Sequence, residues 1–255
     1  MPAEPYGDCS RMSTTLDKEA PDLWTTAGKL TWGRYLEDME ADALQTGFQH
    51  ALAGASDAID IGSETGRWTR RLLDHGFSVT STEVCVDKIA GCQARNPEAN
   101  CVLVSPDDTR LPVDDNSMDF AVSIEVEVND FDWFVPELRR VLREGGVAVF
   151  TLNNRSSYRG WTGNIKSRLR NDEIYYPRSH RNMCNQLAEC GFEIIAANGF
   201  GWFPFGRFSN SSLVPLATKI EDWLQLRRFV AWSPWIAYVC RFNSQAESTE
   251  IQSTN

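Results

Sequence analysis

The chain has 255 residues, 42% of them apolar and 24% charged; that is room for one large domain or two small ones and enough core-forming residues to exclude wholesale disorder. A net charge of −10 argues against a protein that wraps nucleic acid with its whole surface. Seven cysteines with no Cys-x-x-Cys pair, and three histidines, argue against a dense zinc cluster and predict buried thiols in a reducing, cytoplasmic setting.

The first residues lack a basic stretch followed by an apolar one, so no signal peptide is expected. No run approaches the roughly 18 apolar residues that mark a spanning helix. Residues 1–20 and 243–255 read as polar tails around a single domain over 21–242, with Trp24, Trp32 and Tyr35 preceding its core. Strand-length apolar runs follow at Ala58–Ile61, Phe77–Thr82, Cys101–Val104, Phe120–Val126 and Val147–Leu152. Between them Trp68 and Leu72, then Val86, Ile89 and Ala90, then Phe134, Leu138 and Val141 fall at helical spacing. Gly145-Gly146 reads as a helix stop before the fifth strand. Alternating strands and helices imply a doubly wound, mostly parallel sheet. Beyond it, residues 153–177 read as irregular. Met183, Leu187 and Cys190 mark a helix, and Phe192–Ala197 and Trp235–Phe242 two more strands. The stretch between those strands, rich in Phe, Trp and Gly, reads as an insertion.

The chemistry concentrates at Asp60-Ile61-Gly62-Ser63-Glu64-Thr65-Gly66-Arg67, a strand running through a glycine-bearing loop into a helix. Ligands of open parallel sheets sit at such turns, where glycines admit the ligand and the helix start offers N–H groups. A dinucleotide would bring its phosphates against Asp60 and Glu64. Like charges about 4 Å apart cost on the order of 4 kcal/mol even at an effective dielectric near 20. The loop also lacks the Gly-x-Gly-x-x-Gly spacing. A cationic cofactor without phosphate fits better: S-adenosylmethionine carries a sulfonium and an ammonium, which Asp60 can accept from, and a carboxylate suited to the helix N-terminus. Glu83 ends the second apolar run at an offset suited to binding both ribose hydroxyls. Asp107 and Asp108 follow the third run, where an acid can accept from an adenine amino group.

Residues 58–152 resemble the core of a class I S-adenosylmethionine-dependent methyltransferase of the small-molecule type with a UbiE-like signature. The resemblance rests on Asp60-Ile61-Gly62 with Thr65-Gly66-Arg67, Glu83, Asp107 before Leu111-Pro112, Asp115 to Phe120, Glu125-Val126, and Leu138 to Phe150. It implies a Rossmann-like, seven-stranded sheet with an antiparallel last strand and covering N-terminal helices. Asp60, Gly62, Ser63 and Gly66 would cradle the methionine end of the cofactor, Glu83 and Val84 the ribose, and Asp107 and Asp108 the adenine, with Glu125 beside it. The family has glycine where this chain has Glu64, whose carboxylate must turn outward or face the cationic side of the cofactor. The Glu-His pair common after the fourth strand is replaced by Glu125 to Asn129.

The implied activity is methyl transfer to a small apolar or aromatic acceptor, with oxygen the preferred accepting atom. Asn153, Tyr158 and His180 are the candidate substrate contacts, with Glu127 a further candidate base, and Gly199–Arg207 could wall an apolar pocket. Seven bases against two acids over residues 155–181 leave open an RNA or protein methyltransferase, although a solvated basic face is the simpler reading. A non-catalytic binder of the same cofactor is the third reading.

Overall fold

The computed structural model describes residues 26–126, 131–170 and 176–244. Its strands are β1 Asp57–Ile61, β2 Ser78–Glu83, β3 Asn100–Leu103, β4 Met118–Ser123, β5 Leu142–Asn153, β6 Phe192–Phe200 and β7 Trp235–Phe242. Its helices are α1 Thr31–His50, α2 Arg67–Asp74, α3 Val86–Arg95, α4 Phe131–Val141, α5 Tyr158–Arg170, α6 His180–Glu189 and α7 Val214–Trp223. The seven strands form one sheet in the order β3-β2-β1-β4-β5-β7-β6. The first five are parallel, and β7 runs antiparallel between β5 and β6. This is the doubly wound, mostly parallel sheet that the alternation of apolar runs predicts, in the Rossmann-like seven-stranded form with an antiparallel last strand that the resemblance implies.

Helices on both faces make the central strands apolar on both sides, as parallel sheets require. Ala58, Phe120 and Val149 point to the face with Trp32, Leu36 and Leu44 of α1 and Trp68 and Leu72 of α2. Their chain neighbours Ile59, Ala121 and Phe150 point to the face with Phe134 and Leu138 of α4 and Met183 and Leu187 of α6. The two-residue period of the strands thus sorts one run of apolar residues into two cores.

Several expected boundaries shift, each for a physical reason. The fourth strand stops at Ser123 rather than Val126, because Glu125 adopts a left-handed φ of 59° and gives its N–H to Thr151 Oγ1 at 2.7 Å. The fifth strand begins at Leu142, before the glycine pair. Its register slips between Met118↔Leu142 and Phe120↔Val147, so Gly145, with φ 78°, sits in an irregularity within β5 and not at a helix stop. On α3 the buried residues are Ile89 and Cys92, while Val86 and Ala90 are exposed. Cys92 is drawn inward to pack under Gly66. Part of the stretch read as irregular is helix α5, the strand expected at Phe192–Ala197 runs on to Phe200, and the aromatic insertion holds α7. Cys92 and Cys240 are buried, Cys85, Cys101, Cys184 and Cys190 half-buried, and all six are free thiols. Trp24, Cys9, Glu127 to Asn129, Asp172, Glu173 and most of both tails lie outside the described residues.

Candidate functional site

β1 and β4 are neighbours in the sheet, yet the chain leaves β1 for β2 on one side and leaves β4 for β5 on the other. The strand order reverses there, and a crevice opens beyond the carboxyl ends of the two strands. It is lined by Gly62, Ser63, Glu64, Thr65, Arg67, Trp68 and Ile124. Two glycines seat the loop. Gly62 has φ 69°, and a Cβ on it would lie 2.5 Å from Val126 Cγ2. Gly66 has φ 85°, and a Cβ on it would lie 2.2 Å from Asn96 Nδ2, the group that donates to the Gly66 carbonyl at 3.1 Å.

Asp60 is buried behind the loop, where it accepts from the Thr69 hydroxyl at 2.6 Å, and it is not among the residues lining the crevice. Burial pushes its carboxyl up to about 6, against the lowering effect of its bonds to Thr69. Glu83 ends β2 beside the loop. Its Oε2 accepts from the Glu64 N–H at 2.9 Å, and its Oε1 from the N–H groups of Val84 and Cys85 at 2.9 and 3.0 Å. Three backbone donors fix this carboxylate, and Oε2, with a single partner among them, keeps accepting capacity.

Glu64 adopts φ 48°, the left-handed conformation that a glycine takes without cost. Its carboxylate turns outward to Lys88 Nζ at 2.9 Å. We expect Glu64→Gly to relieve about 1 kcal/mol of backbone strain and to lose an ion pair worth no more than about 1 kcal/mol. An unfolding free energy from urea denaturation within about 1 kcal/mol of wild type, with unchanged ligand affinity, would check this. A tenfold loss of affinity would place the carboxylate on the ligand instead.

A second cluster of acids closes the other side. Glu40 of α1 is buried, Glu125 after β4 has a side chain only 9% exposed, and the Glu40 charge acts on Glu125. Arg67 meets Glu40 at 3.2 Å, and Arg207, from the aromatic insertion, meets Glu125 at 3.2 Å. Burial pushes Glu40 up to about 7, its arginine neighbours opposing. Burial and then the Glu40 charge hold Glu125 well above the usual carboxylate range. Two carboxyl groups so placed each hinder the other's ionisation. Arg67 also stacks over the Trp68 ring at 4.3 Å. Glu40 Oε1, Ser63 Oγ, Trp68 Nε1 and Glu125 Oε2 are buried without a hydrogen-bond partner, a concentration of unmet polar capacity around one loop that suits a polar ligand.

The remaining candidates lie along the same sheet edge. Asp107 and Asp108 are exposed after β3. There the Ser105 N–H donates to Asp108 Oδ2 at 2.9 Å and the Asp107 N–H to Ser105 Oγ at 3.3 Å. Asn153 ends β5 opposite Trp235. Tyr158 opens α5, its hydroxyl donating to the Trp202 carbonyl at 2.9 Å. His180 opens α6 with Nδ1 2.7 Å from the Tyr238 hydroxyl, and burial lowers its pKa. Of the aromatic segment, Phe200 packs edge-on against Trp235 and Phe205 against Trp32. Tyr35 ties that segment to α7, donating to Glu221 and accepting from the Gly201 N–H at 3.2 Å. Among the described residues no group of three His, Cys, Asp or Glu could hold a metal ion.

Sequence reasoning brought Asp60, Gly62, Ser63, Gly66 and Glu83 to one loop region and missed Glu40 and Arg207. A signal for Glu40 existed. It stands between Leu36 and Leu44, four residues from each, on the buried stripe of α1, where an acid is out of place unless partnered.

Residues 59–150 match the family model of a methyltransferase domain. An uncharacterized methyltransferase of Mycobacterium tuberculosis is 29% identical over 114 residues, covering 43% of this chain and 44% of the relative. The chain thus matches less than half the length of that curated relative. Among solved structures, a chain in the complex between the Haloferax volcanii Trm112 methyltransferase activator and a methyltransferase superposes with TM-score 0.56 and 16% identity, over 88% of this chain and 100% of the other. A protein named as a sarcosine dimethylglycine methyltransferase of Galdieria sulphuraria gives TM-score 0.56 and 17% identity, over 82% and 86%. At these identities the structural likeness speaks to the fold.

Proposed function

We propose, from the premise that this chain carries a class I, S-adenosylmethionine-dependent methyltransferase domain, that the protein transfers a methyl group to a small apolar or aromatic acceptor, with oxygen the preferred accepting atom. The observation that carries the reading is Glu83, held by three backbone N–H groups beside the glycine-bearing loop at the reversal of strand order.

The residues fit the cofactor by charge and by unmet hydrogen-bonding capacity. Glu83 would accept from the ribose hydroxyls. The loop at Gly62, Ser63 and Gly66 would border the methionine end, and Arg67 would meet its carboxylate. Asp107 and Asp108 would lie toward the adenine. When bound, the cofactor supplies an electrophilic methyl group on sulfonium. The protein's part is then to hold an acceptor in line with it and to keep water out, and positioning of this kind lowers a displacement barrier substantially. Asn153, Tyr158 and His180 are the candidate acceptor contacts, and a hydroxyl acceptor would also need a base to take its proton.

Glu64, turned toward Lys88, does not obstruct this reading. Calorimetry with S-adenosylhomocysteine should show saturable binding, and a nicotinamide dinucleotide none. Labelled methyl transfer to a panel of apolar hydroxyl, phenol and amine acceptors then names the accepting atom. Binding of the dinucleotide but not of the homocysteine compound would overturn the proposal.

A further inference from the structure

Helix α5 is built inside out. The side turned to the protein carries Gly160, Gly163 and Asn164. A Cβ on Gly160 would lie 2.4 Å from the Asn154 carbonyl oxygen, and one on Gly163 would lie 2.7 Å from the Tyr176 ring. Asn164 clasps the Tyr176 backbone, donating to its carbonyl at 2.9 Å and accepting from its N–H at 3.2 Å. The opposite side carries Tyr158, Trp161, Ile165 and Leu169, three or four residues apart and therefore on one stripe. They are 43, 67, 39 and 82% exposed. The helix has Arg159, Lys166, Arg168 and Arg170 and no acid, in a chain of net charge −10.

One exposed apolar residue needs no explanation. A helix that turns its whole apolar stripe to solvent, flanks it with cations and keeps small and polar residues for the protein side has the pattern of a helix lying in a membrane interface. A second element adds to it. Asn154 Nδ2 donates to the carbonyls of Ala231 and Ser233 at 3.0 and 2.9 Å. This places the turn carrying Phe229 and Trp232, 59 and 73% exposed, beside the start of α5. Arg228, next to Phe229, is exposed as well. These groups gather where β5 ends and β7 begins, the same edge of the sheet as the crevice.

We propose that α5, together with the Phe229–Trp232 turn, docks the protein on an anionic lipid bilayer, and that the acceptor reaches the crevice from that membrane. The tryptophans and leucine seat at the boundary of headgroup and acyl chain, and the cations meet anionic headgroups. Among the described residues no helix is long and apolar enough to cross a membrane, so the contact is one of lying on the surface. The docking stands on α5 and the Phe229–Trp232 turn; the membrane origin of the acceptor also rests on the methyl-transfer reading.

The test is flotation of the full chain with vesicles of phosphatidylcholine and with vesicles of equal parts phosphatidylcholine and phosphatidylglycerol. We expect retention on the anionic vesicles only, weakened by high salt. Replacing Trp161 and Leu169 together by serine should lower partition by about tenfold or more, and Lys166→Glu with Arg170→Glu by a similar factor. Circular dichroism and melting temperature should not change, since these side chains are exposed. Absence of binding to anionic vesicles, or equal binding by the serine variant, overturns the proposal. So does a dimer in sedimentation velocity that the serine variant dissolves, or salt-sensitive RNA binding without vesicle binding. Vesicle binding without cofactor binding in calorimetry would leave the docking surface standing and remove the methyl-transfer reading; the converse would do the reverse.

Discussion

Replacing Glu83 by alanine should weaken S-adenosylhomocysteine binding at least about a hundredfold, because hydrogen bonds to a charged acceptor contribute about 1.5–3 kcal/mol each and the ribose offers two. The same carboxylate holds the N–H groups of Glu64, Val84 and Cys85, so the variant should also lose stability on the order of 1–3 kcal/mol. Glu83→Gln separates the two effects. It keeps an oxygen for the Val84 and Cys85 amides, turns its NH2 toward the Glu64 N–H and gives up the negative charge, and should recover part of the stability and less of the affinity. Calorimetry paired with urea denaturation reads both quantities. An alanine variant that folds and binds as tightly as wild type would remove Glu83 from the ligand site and with it the strongest support for the proposed cofactor.

Stability should fall as pH rises through neutrality, and the pair Glu40 and Glu125 should be the main cause. Both carboxyl groups titrate above their ordinary range because they are buried together. A group whose folded pKa is raised makes its stabilising contribution below the unfolded pKa, and that contribution disappears as pH climbs through the folded value. For Glu40 the window runs from the ordinary glutamate value of 4.5 to about 7, equivalent to roughly 3 kcal/mol in order of magnitude. Asp60, pushed up to about 6, adds to the lower part of the same window. Denaturation midpoints between acid and neutral pH should therefore decline in wild type and decline less in Glu40→Gln, where Glu125 keeps both arginines nearby and loses the stronger of its two carboxylate neighbours. Parallel profiles for the two proteins would show that the pair carries no proton of its own.

Much of the fold was legible because its signals are local. The two-residue and 3.6-residue periods that mark β1, β2, β7 and α4 depend only on a strand or helix turning one face inward. The glycine-bearing loop and Glu83 were legible for a related reason: a strand end, a tight turn and a helix start come from one short stretch of chain, and the acid follows at the end of the next strand. The boundaries that shifted depend on contacts across the sheet. β4 ends early because Thr151 of β5 takes the Glu125 amide, and α3 rolls because Cys92 must pack beneath Gly66.

By itself the sequence determined the doubly wound sheet and the loop that borders the crevice. The tertiary structure alone decided that Asp60 faces Thr69 behind that loop, that Glu64 turns to Lys88, that Glu40 and Arg207 arrive at Glu125 from opposite ends of the chain, and that α5 shows its apolar stripe to solvent. The division is physical. A periodic pattern says that a stripe is apolar but not what it meets, and the direction of a charged side chain is set by whichever partner folding brings near.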